Sequence, residues 1–396
     1  MEASLVSVFL SVLLFPLLVI AWSALNWVWF RPRKLERFLR QQGLSGNSYR
    51  FLSGDLRDSA LMLSHAKSMP SSVSDDVKTR VLPFLHQLIK THGKNSFMWM
   101  GPIPRVIIMD PSHLKDVFSK IHDYQKPDSN PLFRILLDGL VNHEGDKWSM
   151  HRKILNPAFH MGKLKLMFPA IHFSTNQLIH KWEEMLSFKE SSEVDIWPDL
   201  QELTRDVISQ TAFGTSIEEG RKIFQLQEEL SELTLMAVQS VYIPGWRFVP
   251  TKLNRRMRKI DIDIRSLIRD LIQRKEKAIK AGESVGDDLL GLMIESNIKE
   301  IQEHGQSGNK VGMSIDDVIV ECKLFYLAGQ ETTSALLLWT MVLLSIHPKW
   351  QQRAREEVVQ VFGDRHLDFD QLNHLNVVTM ILNEHGAKVI LRKYQS

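Results

Sequence analysis

The sequence predicts a mainly α protein with a small β-sheet, carried on an N-terminal transmembrane helix. Three observations point there. Apolar residues recur at helical spacing along most of the chain, most clearly over 111–121, 144–155, 164–187, 199–213, 217–240, 254–281 and 314–346. Two short apolar runs, Phe97–Met100 and Val106–Met109, flank Gly101, Pro102, Ile103 and Pro104 and predict a β-hairpin. A charge-free stretch from Leu5 to Ala24 is long enough, at about 1.5 Å per residue, to match a bilayer core of about 30 Å.

Only Ser7, Ser11, Pro16 and Ser23 interrupt that stretch, and Trp22, Trp27, Trp29 and Phe30 cluster at its end, where amphipathic rings favour the headgroup layer. Arg31, Arg33, Lys34, Arg37 and Arg40 follow, against only Glu2 on the other flank. The positive-inside bias then places the N-terminus in the lumen and the rest of the chain in the cytosol. A cleaved signal peptide would need a basic start, a shorter apolar core and a small-residue cleavage site, and none is clear. Residues 1–30 are therefore expected as a membrane anchor and 31–60 as a basic, polar hinge with a glycine-bearing second half.

The remaining chain has the composition of a globule. It is 44% hydrophobic and 24% charged, with 49 basic against 46 acidic residues and a net charge of +3 over 396 residues. So slight an imbalance gives no field suited to nucleic acid. A single cysteine, Cys322, excludes an intrachain disulfide and fits the reducing cytosol.

Residues 300–313 read as a polar loop, after which Ser314 and Asp317 form a capping-box-like start to a helix. That helix runs from Ile315 to Ile346, roughly 48 Å, before Pro348 opens the next one. So long and apolar a helix is expected to cross the middle of a core.

Inside it lies Ala328-Gly329-Gln330-Glu331-Thr332-Thr333. Two small residues would let a large flat group approach the backbone. A Thr hydroxyl bonded to the i−4 carbonyl would bend the helix into a widened turn able to hold water. Glu331 and Thr332, an acid beside an alcohol, are parts of a proton relay. On its own the pattern reads more often as a helix-packing site. Trp148 and Arg152 stand four apart on another predicted helix, so both project from one face. Their donor-only N–H groups suit a carboxylate, although an Arg stacked on a surface Trp reads the same way.

Together these residues resemble the cytochrome P-450 superfamily. Trp148-Ser-Met-His-Arg152 is similar to its WxxxR motif, and AGQETT at 328–333 to its oxygen-activation motif. NPAFH at 156–160, DVISQTAFG at 206–214, VYIPGWRFVPTKLNRRM at 241–257 and ECKLFYLAGQETTS at 321–334 resemble plant microsomal enzymes of the secologanin synthase-like group. The resemblance implies haem b as cofactor, with Trp148 and Arg152 at a haem propionate and Ala328 and Gly329 against the haem face. It implies proton delivery to iron-bound dioxygen by Thr332 and Glu331. It also implies an endoplasmic reticulum membrane, an NADPH-cytochrome P-450 reductase as electron donor and a lipophilic, terpenoid-like substrate.

The resemblance covers a partial domain, 61–384, and leaves 385–396 as a divergent tail. The family continues Glu-x-x-Arg, but Glu384 is followed by His385, Gly386 and Ala387. The loop that carries the family's haem-ligating cysteine is not found after it. Cys322 is no substitute, because amides inside a helix are already engaged and cannot tune an iron thiolate. Among 15 histidines, His143, His151 and His160 lie near the motif in sequence, but no pair has a ligand spacing. No residue is therefore assigned to a metal. Without its usual partners the 97–109 hairpin is expected to expose an edge, and the 314–346 helix to lack apolar neighbours. Two functions compete: a haem-thiolate monooxygenase lineage, and a catalytically silent, truncated membrane protein. A helical membrane scaffold unrelated to haem would not account for the ordered set of motifs.

Overall fold

The computed structural model describes residues 2–70, 77–127, 130–186, 192–238, 242–282, 287–304, 312–363 and 367–377. Glu384 to Ala387 and the tail 385–396 lie outside these residues. Within them the chain falls into two units, one built on Met1–Tyr124 with Val238–Trp246, the other on Gln125–Ala237 and Arg247 onward. The division at Tyr124 falls inside the segment 61–384 that the sequence presents as one domain.

In the first unit, α1 (Glu2–Leu25) passes through a π-helical turn at Asn26–Phe30 directly into α2 (Arg31–Gln41). Residues 14–26 are all exposed, and among the described residues this is the one helix long and apolar enough to cross a membrane. A π turn widens the helix. Here the Val28 carbonyl accepts a hydrogen bond from the Tyr49 hydroxyl at 2.6 Å. Glu36 accepts from Arg40 at 3.0 Å and from the Tyr49 backbone N–H at 3.1 Å. Much of the span 31–60, expected as a hinge, is thus ordered structure tied down through Tyr49.

Beyond it come β1 (Ser45–Gly46), α3 (Leu56–Ser68), α4 (Val77–Val81), α5 (Pro83–His92), β2 (Ser96–Met100), β3 (Ile103–Ile107) and α6 (Pro111–Ser119). The sheet has the order β1-β2-β3, with β1 parallel and β3 antiparallel to β2. The expected hairpin is present with a shorter turn than the sequence suggests. Gly101, at φ +61°, and Pro102 make a two-residue connection, as a type II′ turn allows. Pro104 sits inside β3 opposite Trp99, tolerated because β3 is an edge strand. That edge exposes Ile103 and Val106, while Phe97 and Trp99 on β2 are fully buried.

The second unit is helical: α7 (Phe133–Leu136), α8 (Gly145–Leu155), α9 (Met161–Leu186), α10 (Ile196–Phe213), α11 (Ile217–Val238), α12 (Lys252–Lys280), α13 (Leu289–His304), α14 (Ile315–Ile346), α15 (Pro348–Phe362) and α16 (Phe369–Leu372). The polar loop expected from residue 300 begins later, because α13 continues to His304. Helix α12 turns Met257, Ile260, Ile264, Ile268, Leu271 and Ile272 inward at three- and four-residue spacing, all buried. Helix α14 packs most closely on α10, where Tyr326 stacks on Phe213 with ring centroids 3.8 Å apart and planes 6° from parallel. Its buried residues all lie between Val318 and Ser334. Farther on, from 335 to 346, every residue is half-buried or exposed, Trp339 and Ile346 included. The helix crosses a core along its first half only.

Candidate functional site

Helix α8 buries His151, Ile154 and Leu155 on one face. The i,i+4 pair runs along the edge of that face, with Trp148 half-buried and Arg152 exposed. Lys126 lies 6.0 Å from the Trp148 ring centroid and donates to the carbonyls of Leu140 and His143 at 3.3 and 2.9 Å. Arg152 makes no hydrogen bond or ion pair among the described residues. It does not stack on Trp148 either; Lys126 takes that position. Its guanidinium is an uncommitted donor fork on a helix held from behind.

Helix α14 begins with the expected capping box. The Asp317 N–H donates to the Ser314 hydroxyl at 3.2 Å, and Asp317 Oδ2 accepts the Ser314 N–H at 3.0 Å. Burial alone would raise the Asp317 carboxyl. Hydrogen bonds from the Lys147 ammonium and from the Ser314 hydroxyl and N–H outweigh it and hold the group well below the usual carboxylate range.

The widened turn expected at 328–333 is not found, since α14 is α-helical throughout. Thr332 does bond back, its hydroxyl donating to the Ala328 carbonyl at 2.7 Å, but the ladder stays closed. Gly329 is small for a different reason from the one expected. A Cβ there would lie 2.4 Å from Ile208 Cδ1, so the glycine faces α10. Ala328 is half-buried, while Glu331, Thr332 and Thr333 are exposed. Partial desolvation pushes the Glu331 carboxyl up against the opposing pull of Arg205, and the Glu228 charge adds to the rise.

The two motifs are joined indirectly. Helix α8 meets α14 through Lys147–Asp317 and His151–Glu321, each at 2.7 Å. Glu321 precedes Ala328 by seven residues, about 10 Å along the axis. Among the described residues no hydrogen bond joins Trp148 or Arg152 to residues 328–333.

That junction also gathers three side chains that the sequence left apart. The two histidines and Glu321 place one donor atom each within 4.8 Å of one another. Glu321 and Lys323 are charged positions in an otherwise apolar stretch of helix, the one sequence signal that hinted at buried partners. Cys322, next to Glu321, is fully buried in α14, and desolvation pushes its thiol up, away from the thiolate form. It is an inert packing residue.

A family model described as Cytochrome P450 matches residues 74–395, and the chain belongs to the cytochrome P450 family. Cytochrome P450 72A397 of Kalopanax septemlobus is 55% identical over 94% of this chain and 71% of that protein. Cytochrome P450 72A15 of Arabidopsis thaliana is 50% identical over 100% of this chain and 75% of its own length. The 7-deoxyloganic acid hydroxylase of Catharanthus roseus is 50% identical over 93% of this chain and 71% of that one. The retinoic acid-bound cyanobacterial CYP120A1 shares the fold, with a TM-score of 0.60 and 18% identity over 76% of this chain and 63% of that chain. The family match continues past Glu384, so it does not end where the Glu-x-x-Arg pattern is lost.

The family implies haem, and the residues present fit it in part. The donor-only pair Trp148 and Arg152 suits propionate oxygens, and the half-buried Ala328, leading into the partly uncovered apolar half of α14, suits a flat apolar face. No side chain of the 396 residues fits as the thiolate, because the only cysteine is Cys322.

Proposed function

We propose that these residues form the anchor, the propionate edge and the oxygen side of a haem-thiolate monooxygenase of the endoplasmic reticulum membrane. Its substrate would be lipophilic and terpenoid-like, and its electrons would come from an NADPH-cytochrome P-450 reductase. The observation that carries this reading is the uncommitted Arg152 guanidinium, one turn from Trp148 on a helix fixed to α14. The apolar α1, followed by the basic α2, supports the membrane assignment. The relative named for hydroxylating 7-deoxyloganic acid supports the substrate class.

Haem, when bound, supplies reductive activation of dioxygen and transfer of one oxygen atom to a C–H bond. The chain's own residues have simpler tasks. Arg152 and the Trp148 N–H hold a carboxylate and so fix the cofactor's orientation. Glu331, its carboxyl raised by partial desolvation, would relay a proton toward the Thr332 hydroxyl next to it in sequence. Thr332 must turn its O–H away from the Ala328 carbonyl to pass that proton on.

A second reading is carried by Cys322. Since its thiol is buried inside a helix, the 396 residues by themselves offer no iron thiolate and would be silent as a monooxygenase. Joining residues 1–384 to the C-terminal part of the Kalopanax septemlobus relative tests the first reading. The lineage reading expects the chimera to bind haem with a thiolate carbon monoxide spectrum, and R152A to lower haem content several-fold. A haem-loaded chimera indifferent to R152A would overturn the propionate assignment.

A further inference from the structure

We infer that His143, His151 and Glu321 form a binding site for a divalent transition ion of the zinc class. The three come from separate pieces of chain: the turn before α8, the buried face of α8, and the first half of α14. Two imidazoles and a carboxylate are a zinc donor set, with the fourth position left for water. His151 and Glu321 lie within stretches that carry the family resemblance, 148–152 and 321–334, but neither is a residue assigned to haem.

Three observations support it. The first is charge. Glu321 is fully buried, and among the described residues no Lys or Arg lies within 4.0 Å of its carboxylate. A buried carboxylate facing only imidazoles is costly unless a ring is protonated, and a dication supplies the charge with both rings neutral.

The second is unsatisfied donors and acceptors. Nε2 of His151, whose side chain is 0% exposed, and Nε2 of His143, 14% exposed, are both buried and without a hydrogen-bond partner. Of the two, His143 Nε2 is the one turned toward Glu321, and a buried unpartnered nitrogen there calls for an ion or an ordered water. His143 Nε2 faces Glu321 Oε1 at 4.0 Å, and His151 Nδ1 lies 2.7 Å from the same oxygen. A tetrahedral ion with bonds of about 2.0 Å would hold these atoms about 3.3 Å apart, between the two observed values. The two histidine donor atoms, within 4.8 Å of each other, must draw together as well, an adjustment of up to about 1.5 Å.

The third is the surrounding shell. With Nδ1 on the ion, His151 must carry its proton on Nε2, which points toward Asp317 Oδ1, 3.9 Å away. At that distance the carboxylate attracts the N–H without bonding it, and a small approach would let it fix the tautomer of a ligating histidine. Asp317 in turn is held by Lys147 and Ser314. The other Glu321 oxygen, Oε2, accepts the Leu140 N–H at 3.2 Å, leaving Oε1 for the ion. Gly139, at φ +83°, lets the chain close over the carboxylate, for a Cβ there would lie 2.9 Å from Oε2. The partial exposure of His143 gives the ion an entry path.

The test uses the full chain in detergent, stripped with a chelator and dialysed against zinc. One zinc per chain is expected to remain, C322A is expected to retain it, and H143A to weaken binding by at least about tenfold with unchanged helical circular dichroism. Cobalt in place of zinc is expected to give d–d bands of a nitrogen and oxygen set without thiolate charge transfer. That cobalt spectrum decides the matter even where H143A loses helicity. Retention far below one equivalent, equal affinity in a folded H143A, or a thiolate cobalt band would each overturn the assignment.

Discussion

Gly329 lies where Ile208 leaves no room for a side chain, so its smallness sets how closely α14 and α10 approach. G329A should therefore overpack this contact and cost about 1–3 kcal/mol in denaturant unfolding. In an Ile208→Ala background the same change should cost little, because the opposing branch is gone. Equal costs in both backgrounds would show that the glycine faces something else. The residue scale also marks how far sequence can be read. Trp148 and Arg152 were legible because their relation is local, one helical turn apart. Ile208 and Gly329 stand over a hundred residues apart, and periodicity says that each faces inward without saying what it meets. His151 and Glu321 were hidden for the same reason, with 170 residues between them.

At the scale of the element, α14 owes its start to the Ser314–Asp317 box and to Lys147 beside it. Because the folded Asp317 carboxyl is held below its unfolded value of about 3.9, its stabilisation is full above that pH and fades as the pH falls toward the folded value. D317A should lose about 1–2 kcal/mol at pH 7, with the deficit relative to the parent chain narrowing below about pH 4. A deficit that stays constant through that range would place the effect elsewhere. The cap was legible because Ser and Asp three apart carry their own mechanism. The turn of the β2–β3 hairpin was less so. Ile103-Pro104 looks like a break, yet an edge strand does not need the N–H that proline lacks. The π turn at Asn26–Phe30 left no pattern in the sequence, since its freed Val28 carbonyl is answered by Tyr49 from farther along the chain.

For the whole molecule, the ordered motifs gave the family, and the matched span 74–395 bears it out. The helical class and the small sheet were likewise legible, because long amphipathic stretches fix an element's type better than its ends. The division at Tyr124 was not, since no change of composition marks it. The proposed function gives the chain the anchor, the propionate edge and the oxygen side of its family's site, and excludes the buried Cys322 as the thiolate. Expression of residues 1–396 in microsomes, reduction and addition of carbon monoxide test this most directly. The account predicts no Soret band at the thiolate position in the difference spectrum. A band there would contradict it, since Cys322 or another group would then be serving as the iron's ligand.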